Sequence, residues 1–252
     1  AAEELNAPVI IQHAQVHEPA MALDVIGPAM LLQAEKASIP VCVHLDHGVD
    51  LPYIQKALAL GFSSVMYDGS ALPFAENIEN TRKAVAMAVA KGASVEAEFG
   101  IMTGGEGSAA ATEAGPEDLY TDPVLAKRFV ESTGIDALAC SFGTVHGIYL
   151  KEPKLDFDRV LKIHELINLP IVMHGGSGVS HADYRRVISR GVRKINYYSY
   201  MARAGADAVR RHLNEATGSV LFESVETWAM EAMYADAKQT IQVFSESQPV
   251  IL

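Results

Sequence analysis

Short, nearly all-apolar runs alternate along the chain with segments whose apolar positions recur at helical spacing. The apolar runs predict strands at Val9–Gln12, Val41–Leu45, Ser64–Tyr67, Ser94–Phe99, Ala137–Phe142, Ile171–Met173 and Lys194–Tyr197. The helical spacing predicts helices over Leu51–Leu60, Phe74–Lys91, Pro123–Thr133, Phe157–Ile167 and His181–Arg190, and a tail helix through Ser224–Gln239. Strands apolar on both faces suit a parallel sheet covered by helices. Regular alternation of strand and helix suits βαβ crossovers. Ala1–Asn6 reads as the last turn of a helix, with Pro8 opening the first strand. Seven strands behind that helix tail predict a (β/α)₈ TIM barrel lacking its first strand and most of its first helix, and hence a missing N-terminal piece. A doubly wound open sheet fits the same periodicity. The expectation is one barrel domain over residues 1–252, with a helical extension from about residue 214 that packs on the barrel or on a second subunit. The small-residue stretch Gly104–Gly115 predicts a mobile loop after a strand, of the kind that forms a lid.

Composition narrows the class. At 252 residues the chain has the length of one α/β barrel. Its 49% apolar content excludes disorder, because such a chain can bury enough surface to offset its ordering entropy. Lys and Arg number 20 against 31 Asp and Glu, a net charge of -11 that disfavours nucleic acid and anionic membrane surfaces. There is neither a long apolar run of spanning length nor a signal peptide. The two cysteines, Cys42 and Cys140, lie in apolar runs and predict buried, unpaired thiols in a reducing, cytoplasmic setting.

Nearly every strand ends in a residue able to bind a metal or move a proton. Val41–Leu45 runs into Asp46 and His47, Ser94–Phe99 carries Glu96 and Glu98, and His146 follows Ala137–Phe142. Ile171–Met173 runs into His174, and Asn196 lies in the last strand. In a parallel barrel these ends converge on one face, so His47, His146 and His174 can meet and hold a zinc-like ion with an open position. Such an ion can polarise a carbonyl. His44, His164, His181 and His212 read as structural, and so do His13 and His17. Alternation puts Glu96 and Glu98 on one side of their strand, where they form ion pairs or share a cation or a proton. The run His174–Gly178 (HGGSG) before a helix is either a tight turn or a phosphate cradle at a helix N-terminus.

These residues stand in motifs: HLDHG at 44–48, DGS at 68–70 with PFAEN at 73–77, VEAEFG at 95–100, YTDP at 120–123, GTVHGIY at 143–149, MHGGSG at 173–178 and KIN at 194–196. In this set and order, from Ala1 to about Arg210, the chain resembles the class II, zinc-dependent ketose-bisphosphate aldolases of the fructose- and tagatose-bisphosphate type. The resemblance implies a lyase of carbohydrate metabolism that reversibly cleaves a phosphorylated ketose to dihydroxyacetone phosphate and an aldehyde. It implies a catalytic zinc on His47, His146 and His174, with Glu98 as a carboxylate visiting a second metal position. It implies Asp46 as the acid/base at the C4 hydroxyl and Glu106 as the group that moves the proton on the dihydroxyacetone phosphate carbon. It places Gly147, Lys151, Gly175, Ser177, Asn196 and Ser199 around the phosphate and the enediolate. A monovalent cation, Na⁺ or K⁺, near that phosphate and a homodimer or homotetramer are also implied.

The chain departs from the family pattern in four places. The opening strand, with its substrate-contacting Asn, is absent. Tyr197, Tyr198, Ser199 and Tyr200 follow KIN in place of an aliphatic residue and a Thr-acid pair. Ser224–Met230 (SVETWAM) carries no Arg where the family grips a distal phosphate. Phe99 and Thr103 replace the family's usual aliphatic residue and its Gly or Met. The second and third departures make a ketose monophosphate with another distal group the alternative substrate. The absent first strand leaves a non-catalytic sugar-phosphate-binding remnant as a further alternative, although such a remnant would have no use for the pair Asp46 and Glu106.

Overall fold

A computed structural model of the chain describes residues 1–100, 111–112 and 120–246. The strands are β1 (Val9–Ala14), β2 (Val41–Gly48), β3 (Ser64–Tyr67), β4 (Ser94–Phe99), β5 (Ala111–Thr112), β6 (Ala137–Cys140), β7 (Ile148–Tyr149), β8 (Ile171–Met173) and β9 (Val192–Ile195). Seven of them make one parallel sheet in the order β1-β2-β3-β4-β6-β8-β9, while β5 and β7 pair as a separate two-stranded ladder. The large sheet curls as a half-barrel with β1 and β9 at its edges, an incomplete TIM barrel. The expected strands are therefore all present, and β3, β4 and β8 have the expected bounds. β2 runs on through Asp46, His47 and Gly48, whereas β9 ends before Asn196.

The helices are α1 (Leu23–Lys36), α2 (Leu51–Leu60), α3 (Phe74–Val89), α4 (Pro123–Thr133), α5 (Phe157–Ile167), α6 (His181–Ser189), α7 (Ser199–Glu215) and α8 (Phe222–Glu246). Side-chain caps start several of them just past a strand end. Asp50 accepts from the Tyr53 amide at 2.9 Å, Asp122 from the Val124 and Leu125 amides, and Ser180 from the Asp183 amide. Each such cap is worth about 1 kcal/mol. Periodicity does not predict α1, which carries Gly27 and Pro28 inside it, or α7, which opens on the tyrosine run. α8 extends the expected tail helix at both ends and packs on the chain itself. His212 of α7 stacks on Trp228 with centroids 4.8 Å apart, and Tyr184 of α6 meets Phe244 edge-on at 4.9 Å. No helix among the described residues is long and apolar enough to cross a membrane.

Two layers of side chains follow from strand alternation. The outward layer, with Leu45, Val65, Val95, Ala97, Leu138, Ile171 and Met173, packs under the helices and is mainly apolar; His13, beside Leu45, is buried in it and meets the Tyr53 hydroxyl at 3.3 Å. Phe99 belongs to it and stacks on Phe129 at 5.7 Å, so the aromatic substitution has a partner. The inward layer has only a small apolar cluster, Met66, Ala139 and Val172. The rest of the interior is polar: His44, Asp46, Glu96 and Glu98 are all at most 3% exposed. Such groups are tolerated only when bonded or charge-compensated. Both cysteines are free; Cys140 is buried, which pushes its thiol pKa up, and Cys42 is half-buried.

Candidate active site

The polar interior opens at the C-terminal ends of the strands. The β2–β3 ladder slips between Leu45 and Gly48, and His47 adopts a left-handed backbone with φ 44°. In a regular strand neighbours point to opposite faces. The slip and the positive φ let the consecutive side chains of Asp46 and His47 both turn into the site.

There His47, His146 and His174 converge, each offering one donor atom within 4.8 Å of the others. His47 Nε2 lies 2.8 Å from His174 Nδ1. The outer nitrogen of each of these rings is held by a carboxylate: His47 Nδ1 by Asp68 Oδ2 at 2.7 Å, and His174 Nε2 by Glu96 Oε1 at 2.7 Å. Carboxylates behind imidazoles fix the tautomer and leave the inner lone pairs for a metal. The His146 ring is 5.0 Å from that of His47 and 5.8 Å from that of His174.

Glu98 lies beside this trio, within the same 4.8 Å limit of His47 and Asp68. Its Oε2 is buried without a hydrogen-bond partner. Burial, and next the Asp68 charge, hold its pKa well above the usual carboxylate range. A buried, unsatisfied carboxylate beside three converging imidazoles is the donor set that fits a divalent metal. Burial opposes a charge on His47, yet the bond to Asp68 and the charges of Asp46, Glu98 and Asp68 raise its pKa to about 10. Burial lowers His146 to about 4 and takes His174 well below its ordinary value.

Asp46 is 1% exposed and accepts two hydrogen bonds, from Gln12 Nε2 at 2.8 Å and from Asn196 Nδ2 at 3.0 Å. It is thus held next to the histidines. The HGGSG turn is rigid and close-packed: Gly175 has φ 62°, and a Cβ there would come within 2.2 Å of the Val145 carbonyl oxygen. Ser177 Oγ accepts from the Tyr198 amide at 2.9 Å, which ties this turn to the start of α7 at Ser199. Gly147, with φ 90°, follows His146 directly. Lys151 is exposed just beyond β7. Glu106 and Thr103, with most of Gly104–Gly115, lie outside the described residues. Of the histidines expected to be structural, His44 also shares with Asp46 and Glu96 a group of donor atoms within 4.8 Å of one another. His44 bonds Ser64 Oγ at 2.8 Å, His181 and His212 stack on rings, and His164 is buried against Gly191.

A cleft of about 600 Å³ reaches this centre, and its lining includes His47, Asp68, Glu98, His146, Gln15 and Glu18. Sequence reasoning gave no role to Asp68, Lys194 or Gln12, and left Glu96 between an ion pair and a shared cation or proton. The signal was available for Asp68, which opens the DGS turn just past β3.

A half-barrel of parallel strands with three histidines and several carboxylates gathered at their C-terminal ends is an α/β-barrel arrangement able to hold a metal ion. A family model described as fructose-bisphosphate aldolase class-II matches residues 1–248, so the chain belongs to the class II fructose-bisphosphate aldolase family and is a carbon–carbon lyase. It is 36% identical over 244 residues to the sulfofructosephosphate aldolase of Alkalicoccus urumqiensis, covering 97% of this chain and 84% of that one. The crystal structure of the YdjI aldolase from Escherichia coli K12 matches with a TM-score of 0.83 at 33% identity, covering 98% of this chain and 85% of that one. The fructose-bisphosphate aldolase of Campylobacter jejuni shares the fold, with a TM-score of 0.75 at 24% identity over 98% of this chain and 84% of that one.

Proposed function

We propose that the chain is a zinc-dependent aldolase that reversibly cleaves a phosphorylated ketose to dihydroxyacetone phosphate and an aldehyde. The observation that carries this reading is the meeting of His47, His146 and His174 beside a doubly bonded, buried Asp46. The three histidines hold the ion, and Glu98 is the carboxylate beside it. Zinc bound there supplies a Lewis acid for the ketose C2 carbonyl. Asp46 takes the proton of the C4 hydroxyl as the C3–C4 bond breaks, and its two donors keep it aimed. Glu106 returns a proton to the former C3 carbon of the dihydroxyacetone phosphate half. Gly147, Gly175, Ser177, Asn196 and Ser199 surround the phosphate, helped by Lys151 and by a Na⁺ or K⁺ ion. The close-packed turn at Gly175–Ser177 and the α7 N-terminus support that role. The working unit is one barrel domain, in a cytoplasmic homodimer or homotetramer.

A fructose- or tagatose-1,6-bisphosphate-like ketose is the first substrate. The cleft favours a second reading, a ketose monophosphate with a hydroxylated distal end. The cleft lining includes Gln15, Tyr53 and Glu18, and Glu18 stays ionised, its pKa near 2, because Tyr53 and the Leu23 amide bond it. An ionised carboxylate repels a second phosphate. The test is a panel of ketose phosphates and bisphosphates on the zinc-loaded protein, read as released dihydroxyacetone phosphate. Release that a chelator abolishes supports the proposal; no release from any ketose phosphate at full zinc occupancy overturns it.

A further inference from the structure

The interior of the half-barrel holds one more charged side chain, and both halves of the centre lead to it. The β8–β9 ladder slips by one residue between Ile171 and Val172, so that Ile171 pairs with Val192 but Val172 pairs with Lys194. The slip passes over Arg193 and turns Lys194 inward. Glu98, Ala139, Val172 and Lys194 are then register partners in series across β4, β6, β8 and β9. The Lys194 side chain is only 12% exposed.

Its ammonium makes two contacts. Nζ lies 2.9 Å from Glu96 Oε2 and donates to Asn196 Oδ1 at 2.7 Å. Each partner passes the constraint on. Glu96 holds His174 Nε2 through its other oxygen, at 2.7 Å. Asn196 donates through its Nδ2 to Asp46 Oδ1, at 3.0 Å. An ammonium is a donor only. It therefore fixes the Asn196 amide with its oxygen toward Lys194 and its NH₂ toward Asp46, which is the orientation that feeds a donor to the carboxylate. It also compensates a Glu96 that is 3% exposed, leaving Oε1 to orient the imidazole. His44 cannot take over this duty. Its Nε2 is 3.6 Å from Glu96 Oε2 and 4.0 Å from Asp46 Oδ1, without a hydrogen-bond partner.

We propose that Lys194 is the positioning residue that couples the two halves of the centre, setting His174 for the metal through Glu96 and Asp46 for proton transfer through Asn196. The inference rests on the aldolase reading for its second arm only. It does not make Lys194 a catalytic residue, since the ammonium reaches the reacting atoms through others. A neutral side chain at this position loosens both arms at once, whereas a change at Glu96 loosens the metal arm and one at Asn196 chiefly the Asp46 arm, since the Asn196 Nδ2 contact with His174 Nδ1 is long, at 3.4 Å, beside the 2.7 Å bond from Glu96.

The test compares Lys194→Met, Glu96→Gln and Asn196→Ala with the wild type. Zinc affinity is measured by competition with a chromophoric chelator, and kcat and KM at saturating zinc on the best ketose phosphate. The expected result for Lys194→Met is a loss of about 10–100-fold in zinc affinity and a drop of about tenfold or more in kcat, with KM moving less. Glu96→Gln should reproduce the zinc loss, and Asn196→Ala should lower kcat while leaving zinc affinity within about threefold of the wild type. A folded Lys194→Met protein with wild-type zinc affinity and kcat overturns the proposal. If Lys194→Met does not fold, the two other variants decide: zinc affinity and kcat falling in parallel in both means no separable arms and overturns it. A wild type that binds zinc but cleaves no ketose phosphate overturns the aldolase reading instead, and the zinc arm at Lys194 and Glu96 is still read by the chelator.

Discussion

His47 Nε2 and His174 Nδ1 lie 2.8 Å apart, although 127 residues separate them in the chain. The opposite nitrogen of each ring is already engaged by a carboxylate, Asp68 behind His47 and Glu96 behind His174. At most one proton can sit between the two facing nitrogens, so the pair is built to share a cation. Dialysis against a chelator should remove activity, and about one equivalent of zinc per chain should restore it. His174→Ala should lose both bound zinc, measured by plasma mass spectrometry, and turnover.

The carboxylate behind His47 should matter nearly as much as the ring. Asp68 Oδ2 orients Nδ1, and Ser70 in turn steadies Asp68 Oδ1 through its hydroxyl at 2.7 Å and its amide at 3.1 Å. Asp68→Asn keeps the shape but removes the charge that favours a basic imidazole. Zinc affinity should fall about 10–100-fold, with thermal stability of the zinc-free protein changed far less. Chelator competition reads the first and denaturation the second.

Asp46 makes the complementary case, since the proposed mechanism uses it for proton transfer rather than for holding the metal. Its partners are Gln12 and Asn196. Asp46→Asn should therefore keep the zinc content of the wild type while kcat falls by about 10²–10⁴-fold, the range lost with a positioned acid/base. Loss of zinc in step with activity would reassign Asp46 to the metal side.

Much of this centre was legible in the sequence, for a geometric reason. Parallel strands of a barrel bring their C-terminal ends to one face, so strand assignment alone gathers Asp46, His47, Glu98, His146 and His174. Two ladder slips were not legible. Alternation puts Asp46 and His47 on opposite faces, and only the slip at Leu45–Gly48 with the positive φ of His47 joins them. Likewise, a lysine next to an arginine in Val192–Ile195 reads as a solvent-facing position until the slip between Ile171 and Val172 turns Lys194 inward. The paired glutamates show the same limit. Strand parity placed both inside but left open what relieves their repulsion; Glu96 has Lys194, and Glu98 has a raised pKa.

Gly175 links the phosphate turn to the metal site through the backbone. An added Cβ would sit 2.2 Å from the carbonyl oxygen of Val145, the residue before His146, and the φ of 62° is itself unfavourable for any L side chain. Gly175→Ala should cost at least about 2 kcal/mol of unfolding free energy, read from denaturant midpoints. The clash presses on His146 and, through the adjoining residue, on His174. Zinc affinity should therefore drop as well, which a purely local turn defect would not produce.

His44 gives the fold an acid limit that can be isolated. Burial, and next the Lys194 charge, lower its pKa from 6.5 to about 3. Between those values the unfolded chain carries a proton that the folded chain does not. Unfolding is therefore favoured by acid: the stability owed to this group is present above about pH 6.5 and is lost as pH falls toward 3. The slope approaches about 1.4 kcal/mol per pH unit where the difference is one full proton. His44→Asn keeps a polar atom for Ser64 Oγ but cannot titrate. Its stability, measured by urea denaturation of the zinc-free protein from pH 4 to 7, should fall less steeply than the wild type's by up to that amount. His146 and His174 titrate in both proteins and cancel in the difference. Equal slopes would mean that the buried His44 keeps its proton, in which case the nearby carboxylates of Glu96 and Asp46, at 3.6 and 4.0 Å, outweigh its burial.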